Sequence, residues 1–326
     1  MNTQYLITGG CGFLGTSLIA KLLEEGNSNI RVLDNLSEGT AADLLEVTPF
    51  TVAPSEKCIA HDGVVLIEGD IRDRETTGQC SRGIDCIIHL AGNTGVPKSV
   101  EQPRMDMENN VIGTFNMLDA AHQHKVNKFI FASSGAPAGT VEPPIHEELP
   151  PHPVSPYGAS KLAGEGYCSA FYHSFGVNTV CLRFGNVYGP RSKKKSSVVA
   201  KFIRQALGDE VCHIYGDGTQ TRDFIYIDDL INAIILSISK NIGGETFQIA
   251  SGIERTVDEV ATIIKDILEQ HGHGMNITYD SPRLGDVERN YSDTSKAKKM
   301  LGWSTSTPIE KGINLTVSYF LNLQNK

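Results

Sequence analysis

Short apolar runs alternate with amphipathic stretches along most of the chain. The runs at 4–8, 30–33, 64–67, 85–90, 128–132 and 177–183 are each short enough for a strand and bounded by turn residues. Between them lie stretches with helical spacing. Leu18, Ile19, Leu22 and Leu23 mark one, and Val111, Thr114, Phe115, Leu118, Ala121 and His122 mark a long one over 107–125. A third starts near Ser155 and runs to about Phe175. Strands alternating with helices at this spacing predict an α/β fold: a Rossmann-type, doubly wound parallel sheet covered on both faces. Residues 36–62 break the pattern, with Pro49 and Pro54 and only a helical patch over 41–47, and read as a surface excursion.

Beyond Arg183 the alternation becomes irregular. Phe184 to Arg191 reads as a loop, Lys193 to Lys195 as a solvated turn, and Val198, Val199 and Phe202 as one helical face. Strands are predicted at 223–227 and 245–250, with Asp228 and Asp229 as caps of the helix between them. Further helices are predicted at about 257–270 and 308–322. The expected organisation is a dinucleotide-binding domain over 1–182, with 223–250 returning to it. A smaller mixed α/β substrate domain takes 183–222 and 251–326.

Composition narrows the class. The 326 residues are 40% hydrophobic and 21% charged, as in ordinary globular proteins. The net charge of −9 argues against a general nucleic-acid binder, and the apolar runs are too short to span a bilayer. Residues 1–8 lack the basic region and apolar core of a signal peptide. The seven cysteines (11, 58, 80, 86, 168, 181 and 212) have neither zinc-site nor redox CxxC spacing. Free buried thiols, a cytoplasmic location and no metal are the expectation.

Two stretches carry chemistry. The strand at 4–8 leads into Gly9-Gly-Cys-Gly-Phe-Leu-Gly15 and then a helix. Glycines in that context make a tight turn, let backbone approach a pyrophosphate, and leave N–H groups at a helix start to hold it. Asp34 ends the next strand, where a carboxylate binds ribose hydroxyls and repels a 2′-phosphate, so the cofactor should be NAD rather than NADP. Asp70 and Ile71 end the third strand and could flank the adenine, although Asp70 could equally cap a helix. The second stretch is Ser155-Pro-Tyr-Gly-Ala-Ser-Lys161, which sets Tyr157 and Lys161 four apart on one helical face. An ammonium beside a phenol eases its deprotonation; a drop of ~3 units from the ordinary value corresponds to roughly 4 kcal/mol. Such a pair also occurs on ordinary helices, so the spacing alone does not decide.

Taken in order, the motifs resemble a family. They are Thr8 to Gly15, Asp34-Asn-Leu-Ser, Gly69-Asp-Ile, His89-Leu-Ala, Ser133-Ser134, Tyr157 to Lys161, Arg183-Phe-Gly-Asn186, Thr221-Arg-Asp-Phe and Arg283-Leu-Gly-Asp286. The chain resembles the extended short-chain dehydrogenase/reductases of the NAD-dependent sugar epimerase/dehydratase family, and among them the UDP-hexose 4-epimerases. The resemblance implies NAD held by Gly9, Gly12, Phe13, Leu14, Gly15, Asp34, Asn35, Asp70, Ile71, Leu90, Ala91, Tyr157 and Lys161. It implies a catalytic Tyr157, Lys161 and Ser134 that oxidise and re-reduce a sugar carbon through a transient 4-keto species. It implies Asn186, Arg222 and Arg283 as contacts to the diphosphate of a nucleotide sugar, and a homodimer joined by a four-helix bundle of the 107–125 and 157–175 helices.

Departures from the family pattern sharpen the expectation. Gly135-Ala136 follow Ser134 where the sugar 4,6-dehydratases of the family carry Asp-Glu, which leaves epimerisation. Ala136-Pro-Ala-Gly139 replaces the family's Val-Tyr-Gly turn. Asn290, counted without gaps from Arg283, resembles the gate for the sugar C2 substituent and is smaller than the tyrosine that excludes an N-acetyl group. UDP-glucose/galactose or UDP-N-acetylhexosamine is therefore the expected substrate. The rival readings are a UDP-uronate 4-epimerase, a dehydratase, and a non-catalytic NAD-binding regulator.

Overall fold

The computed structural model describes residues 3–57, 62–282 and 287–324. The chain opens with β1 (Tyr5–Thr8), α1 (Phe13–Glu24), β2 (Ile30–Asp34), α2 (Ala41–Leu45) and β3 (Thr51–Val52). It continues with β4 (Val64–Glu68), α3 (Arg74–Cys80), β5 (Cys86–His89), α4 (Val96–Glu101) and α5 (Pro103–Met107). A π-helical turn, Glu108–Ile112, joins α5 to α6 (Gly113–Gln123), which leads to β6 (Lys128–Ser134), a 3₁₀ turn at Ala136–Ala138, and α7 (Pro156–Phe175). Next come β7 (Thr179–Phe184), β8 (Asn186–Tyr188), α8 (Val198–Leu207), β9 (Cys212–Tyr215), β10 (Thr221–Arg222) and β11 (Phe224–Tyr226). The last elements are α9 (Ile227–Ser239), β12 (Glu245–Ile249), β13 (Arg255–Thr256), α10 (Val257–Gln270), β14 (Ile277–Asp280), α11 (Ser295–Leu301) and α12 (Ile309–Gln324).

Among the described residues one eight-stranded sheet dominates, in the order β12-β7-β6-β5-β1-β2-β4-β3. β1 pairs in parallel with β2 on one side and β5 on the other. The chain therefore reverses its direction of winding between β1 and β5, and the carboxyl ends of those two strands border the crevice where such sheets bind ligands. The strands are buried on both faces. Leu6, Ile7, Ile87, Ile88, Phe129 and Phe131 are at most 1% exposed. Each such side chain contributes about 1.5–3 kcal/mol by leaving water, which is why these runs read as continuously apolar.

Two compact units divide the chain. The first comprises the segment ending at Thr140 together with 147–183 and 233–247; the second comprises 141–146, 184–232 and the segment beginning at Gln248. Residues 223–232 thus group with the second unit, and the stretch within the first is 233–247.

Several elements differ from the sequence expectation. The helix over 107–125 starts earlier, at Pro103, and is interrupted by its π turn. The excursion at 36–62 contributes β3, an edge strand parallel to β4. Asn186–Tyr188 is a strand paired with β11 rather than a loop. These strands of two or three residues are too short to carry a period. Asp229 is not a helix cap: its carboxylate accepts from the Ser306 N–H and hydroxyl and from the Thr307 N–H. Asp73, not Asp70, caps α3. Of the lysines read as a solvated turn, Lys194 is exposed while Lys193 and Lys195 are half-buried.

Candidate active site

The glycine turn after β1 is shaped by contact. Gly9 has φ +69°, and a Cβ there would stand 2.9 Å from the Ala91 nitrogen at the end of β5. A Cβ on Gly15 would collide with the backbone of Gly9 and Gly10. α1 starts immediately after Gly12, which offers no side-chain cap, so no capping side chain takes up its first-turn N–H groups. Phe13 and Leu14 stand half-buried in that first turn. Asp34, buried at the end of β2, accepts from the Cys11 N–H through Oδ2 and from the Leu36 N–H through Oδ1, both at 2.9 Å. Asn35 donates to Asp70 at 3.1 Å. Asp70 is held down to about 2, first by its bond to Arg72. Ile71 is buried against Gly113 of α6, where a Cβ would collide with it.

At the end of β5, the Leu90 N–H donates to the Thr8 carbonyl at 3.2 Å and the Ala91 N–H to Thr8 Oγ1 at 3.1 Å. His89 lies beneath them, its Nδ1 2.7 Å from Thr8 Oγ1 and its Nε2 3.1 Å from Thr114 Oγ1. Burial, with Lys161 nearby, pushes His89 down to about 3, so it bridges the two hydroxyls as a neutral ring. A dinucleotide fits this rim. It offers a glycine cradle that a side chain would fill, N–H groups facing it, and a carboxylate at the neighbouring strand end.

The proton-handling groups come from β6 and α7. Ser155 caps α7 by accepting from the Gly158 N–H at 3.1 Å, and Pro156 occupies its first position. The cap fixes the helix start, so Tyr157 falls in the first turn and Lys161 in the second. The Lys161 ammonium, 5% exposed, donates to the Ala132 carbonyl at 2.9 Å and stands over the Phe131 ring. Burial pushes it down to about 8, against the opposing charges of Asp106 and Glu165. Tyr157 is hydrogen-bonded to Ser134, whose Oγ in turn accepts from the Ala136 N–H at 3.2 Å. The eased deprotonation expected of Tyr157 is not found. Burial raises it, the Ser134 bond only partly offsets this, and the Asp106 charge adds to the rise. Four-residue spacing puts the two residues on one face of α7, but desolvation outweighs the one lowering influence, the Ser134 bond.

A buried network backs this face and was missed from the sequence. Glu165 accepts from Ser133 Oγ at 2.6 Å and forms a two-point pair with Arg183, from Nε at 2.8 Å and from the second guanidinium nitrogen at 2.7 Å. Both partners are under 8% exposed. Glu165 is four residues beyond Lys161, so helical spacing was a usable signal for it.

The second unit contains a cavity of about 210 Å³. Asn186 and Arg222 line it with Phe202, Tyr215 and Lys201. Arg222 donates to the carbonyls of Thr221 and Val287, both at 2.6 Å. Lys201, not singled out from sequence, stands 5.7 Å above the Tyr215 ring. Asn290 lies beside Thr221, its N–H 3.3 Å from Thr221 Oγ1. Arg283 and Asp286 lie outside the described residues, as does Cys58; the other six cysteines are buried and unbridged. Among the described residues there is no grouping of three metal-ligating side chains, and no helix is long and apolar enough to cross a membrane.

The model of the NAD dependent epimerase/dehydratase family matches residues 5–250. The chain belongs to this family. It is 35% identical over 323 residues to a putative UDP-glucose 4-epimerase of Methanocaldococcus jannaschii, covering 97% of this chain and 98% of that relative. Among solved structures it resembles the UDP-glucose 4-epimerase of Thermotoga maritima with UDP-glucose, at TM-score 0.88 and 34% identity over 99% of this chain and 100% of that one. It also resembles the UDP-N-acetylglucosamine 4-epimerase of Methanobrevibacter ruminantium in complex with UDP-N-acetylmuramic acid. There the TM-score is 0.89 and the identity 29%, over 99% of both chains. The glycine rim, Tyr157, Lys161 and Ser134 belong to the first unit, and the cavity lined by Asn186 and Arg222 belongs to the second.

Proposed function

We propose that the protein is an NAD-dependent 4-epimerase of a nucleotide-activated sugar, UDP-glucose/galactose or a UDP-N-acetylhexosamine. The observation that carries this reading is the environment of Ser134. Its hydroxyl oxygen takes a bond from the Ala136 N–H and so directs its own proton to Tyr157, and the two residues after it, Gly135 and Ala136, bring no carboxyl group. Proton removal from a hydroxyl is thereby supported, and the acid and base that water loss requires are not supplied there.

In this reading Tyr157 takes the proton from the sugar C4 hydroxyl and returns it after the intermediate turns over. Ser134, donating to the Tyr157 oxygen, holds that acceptor in line with the sugar hydroxyl. Lys161 stays protonated, anchored by the Ala132 carbonyl, and orients the nicotinamide ribose. NAD, when bound at the glycine rim through Gly9, Gly12, Phe13, Leu14, Gly15, Asp34, Asn35, Asp70, Ile71, Leu90 and Ala91, supplies hydride chemistry at C4 and a positive charge that offsets the burial raising Tyr157. In the second unit Asn186 and Arg222 hold the diphosphate through charge-assisted bonds, with Arg283 as a further candidate. The small Asn290 leaves room for an N-acetyl group.

The domain roles follow: the first unit serves the cofactor and the second the nucleotide. A homodimer is part of the same proposal. Ile112, Phe115, Tyr167 and Phe175 are large, exposed and apolar on α6, α7 and the π turn, and Phe115 meets Tyr167 edge-on at 5.3 Å. Covering that face with its copy in a four-helix bundle would remove it from water. A reducing cytoplasm suits the unbridged thiols.

The test is turnover of UDP-glucose, UDP-N-acetylglucosamine and UDP-glucuronate, with the product analysed by NMR and mass. A 4-epimer of unchanged mass from either of the first two supports the proposal. Epimerisation of UDP-glucuronate alone, loss of water, or no turnover overturns it in favour of a uronate epimerase, a dehydratase or a regulator.

A further inference from the structure

Asp106 is 1% exposed near the end of α5, and the chemistry above makes no use of it. Its Oδ1 accepts from Asn110 Nδ2 at 3.2 Å, while Oδ2 is buried without a hydrogen-bond partner among the described residues. A buried carboxylate with a single bond is costly unless an opposite charge offsets it. The Asp106 charge is felt by the buried Lys161 ammonium, which it favours in the protonated form. The other titratable groups facing Lys161 are Glu165 and Cys168 from α7 and His89 from β5; Tyr157 faces Ser134 from β6 and, again, Asp106.

The geometry ties Asp106 to both sides of the pair. The π turn at Glu108–Ile112 widens the helix and holds Asn110 next to Asp106, one turn further on. Asn110 Nδ2 also bonds Ser160 Oγ at 3.0 Å, the residue just before Lys161. Its Oδ1 accepts from the Asn93 N–H at 2.7 Å, at the rim after β5. A Cβ on Gly92 would stand 2.7 Å from that oxygen and 3.5 Å from Lys161 Nζ, so the rim, Asn110 and the ammonium share one small space.

We propose that Asp106 is a positioning residue for proton transfer, the counter-charge that keeps Lys161 protonated beside Tyr157 and sets the pH window in which the pair works. The window as seen in turnover rests on the epimerase reading. The charge of Asp106 favours the protonated form of both Tyr157 and Lys161, so its removal lowers both titrations.

Asp106→Asn keeps the volume and an acceptor for Asn110 and removes only the charge. Both limbs of the pH profile of kcat/KM then move to lower pH, on the order of one unit, the usual effect of one charge a few ångströms away. Asp106→Glu restores the charge and returns the limbs towards those of the wild type. A second measurement needs no turnover. The absorbance difference between the NAD-loaded protein and its Tyr157→Phe variant follows the ionisation of Tyr157 alone, and in the Asp106→Asn background it moves to lower pH. If that titration moves and no sugar nucleotide is turned over, the role of Asp106 stands and the epimerase reading falls. If sugars are turned over but neither limbs nor titration move, Asp106 is structural only and the inference is overturned. Asp106→Ser carries the same readouts should Asp106→Asn not fold.

Discussion

In the first unit the buried Lys161, the half-buried Ser134 and the buried Glu165 behind them are individually fastened: Lys161 to the Ala132 carbonyl, Ser134 to the Ala136 N–H, and Glu165 to both Ser133 and Arg183. In the second unit the candidate diphosphate ligands line a partly open cavity built from short strands, with Arg222 half-buried and held by two backbone carbonyls. The first arrangement holds each group by a direct hydrogen bond, the kind of close positioning that proton transfer requires. The second presents charge on a looser frame, which suffices for binding a diphosphate and suits a pocket that must admit and release it. Substitutions in the first unit should therefore affect the chemical step or the fold, and those in the second should affect affinity.

The largest effect is expected from Tyr157→Phe. It removes the proton acceptor without disturbing α7, so kcat should fall by roughly 10²- to 10⁴-fold while NAD binding, followed by isothermal titration calorimetry, is retained. Retained turnover would mean that another group carries the proton. Next in size, Glu165→Ala leaves the Arg183 guanidinium buried and unpaired, and denaturant unfolding should show a loss of about 3–5 kcal/mol. Replacing both with methionine should recover most of that loss, because the pair rather than either charge is what the core tolerates. A loss below 1 kcal/mol would mean that water reaches Arg183.

On the other side of the comparison, Arg222→Ala should raise KM for a UDP-sugar by roughly 10- to 100-fold with kcat nearly unchanged, the signature of a uniform binding contact. A fall in kcat with KM unchanged would place Arg222 with the chemistry instead and break the contrast. The smallest effect is expected from Asn290→Tyr, which should reduce the ratio of N-acetylated to plain hexose turnover on the order of tenfold by filling space. An unchanged ratio would remove Asn290 from substrate selection.

How much was legible in the sequence depended on the range of the signal. α10 was bounded correctly because Thr256 and Glu259 form a capping box and Val260, Ala261, Ile264 and Leu268 repeat at helical spacing behind it. The start of α7 was legible for the same local reason, through Ser155 and Pro156. Glu165 could have been found by its spacing from Lys161, but its partner Arg183 is on another element, and only the packing of β7 against α7 brings the two together.

The sequence by itself determined the parallel sheet, the glycine rim after β1, and the alignment of Tyr157 with Lys161. Those features depend on contacts within a few residues, on periodicity, and on a glycine-rich run between strand and helix. Only the tertiary structure decided the charge state of that pair. Burial raises Tyr157 and lowers Lys161, while Asp106, fifty-five positions before Lys161, faces them across the fold. Desolvation and Coulomb interactions act through space and depend on what surrounds a group on every side, so no local pattern of residues encodes them.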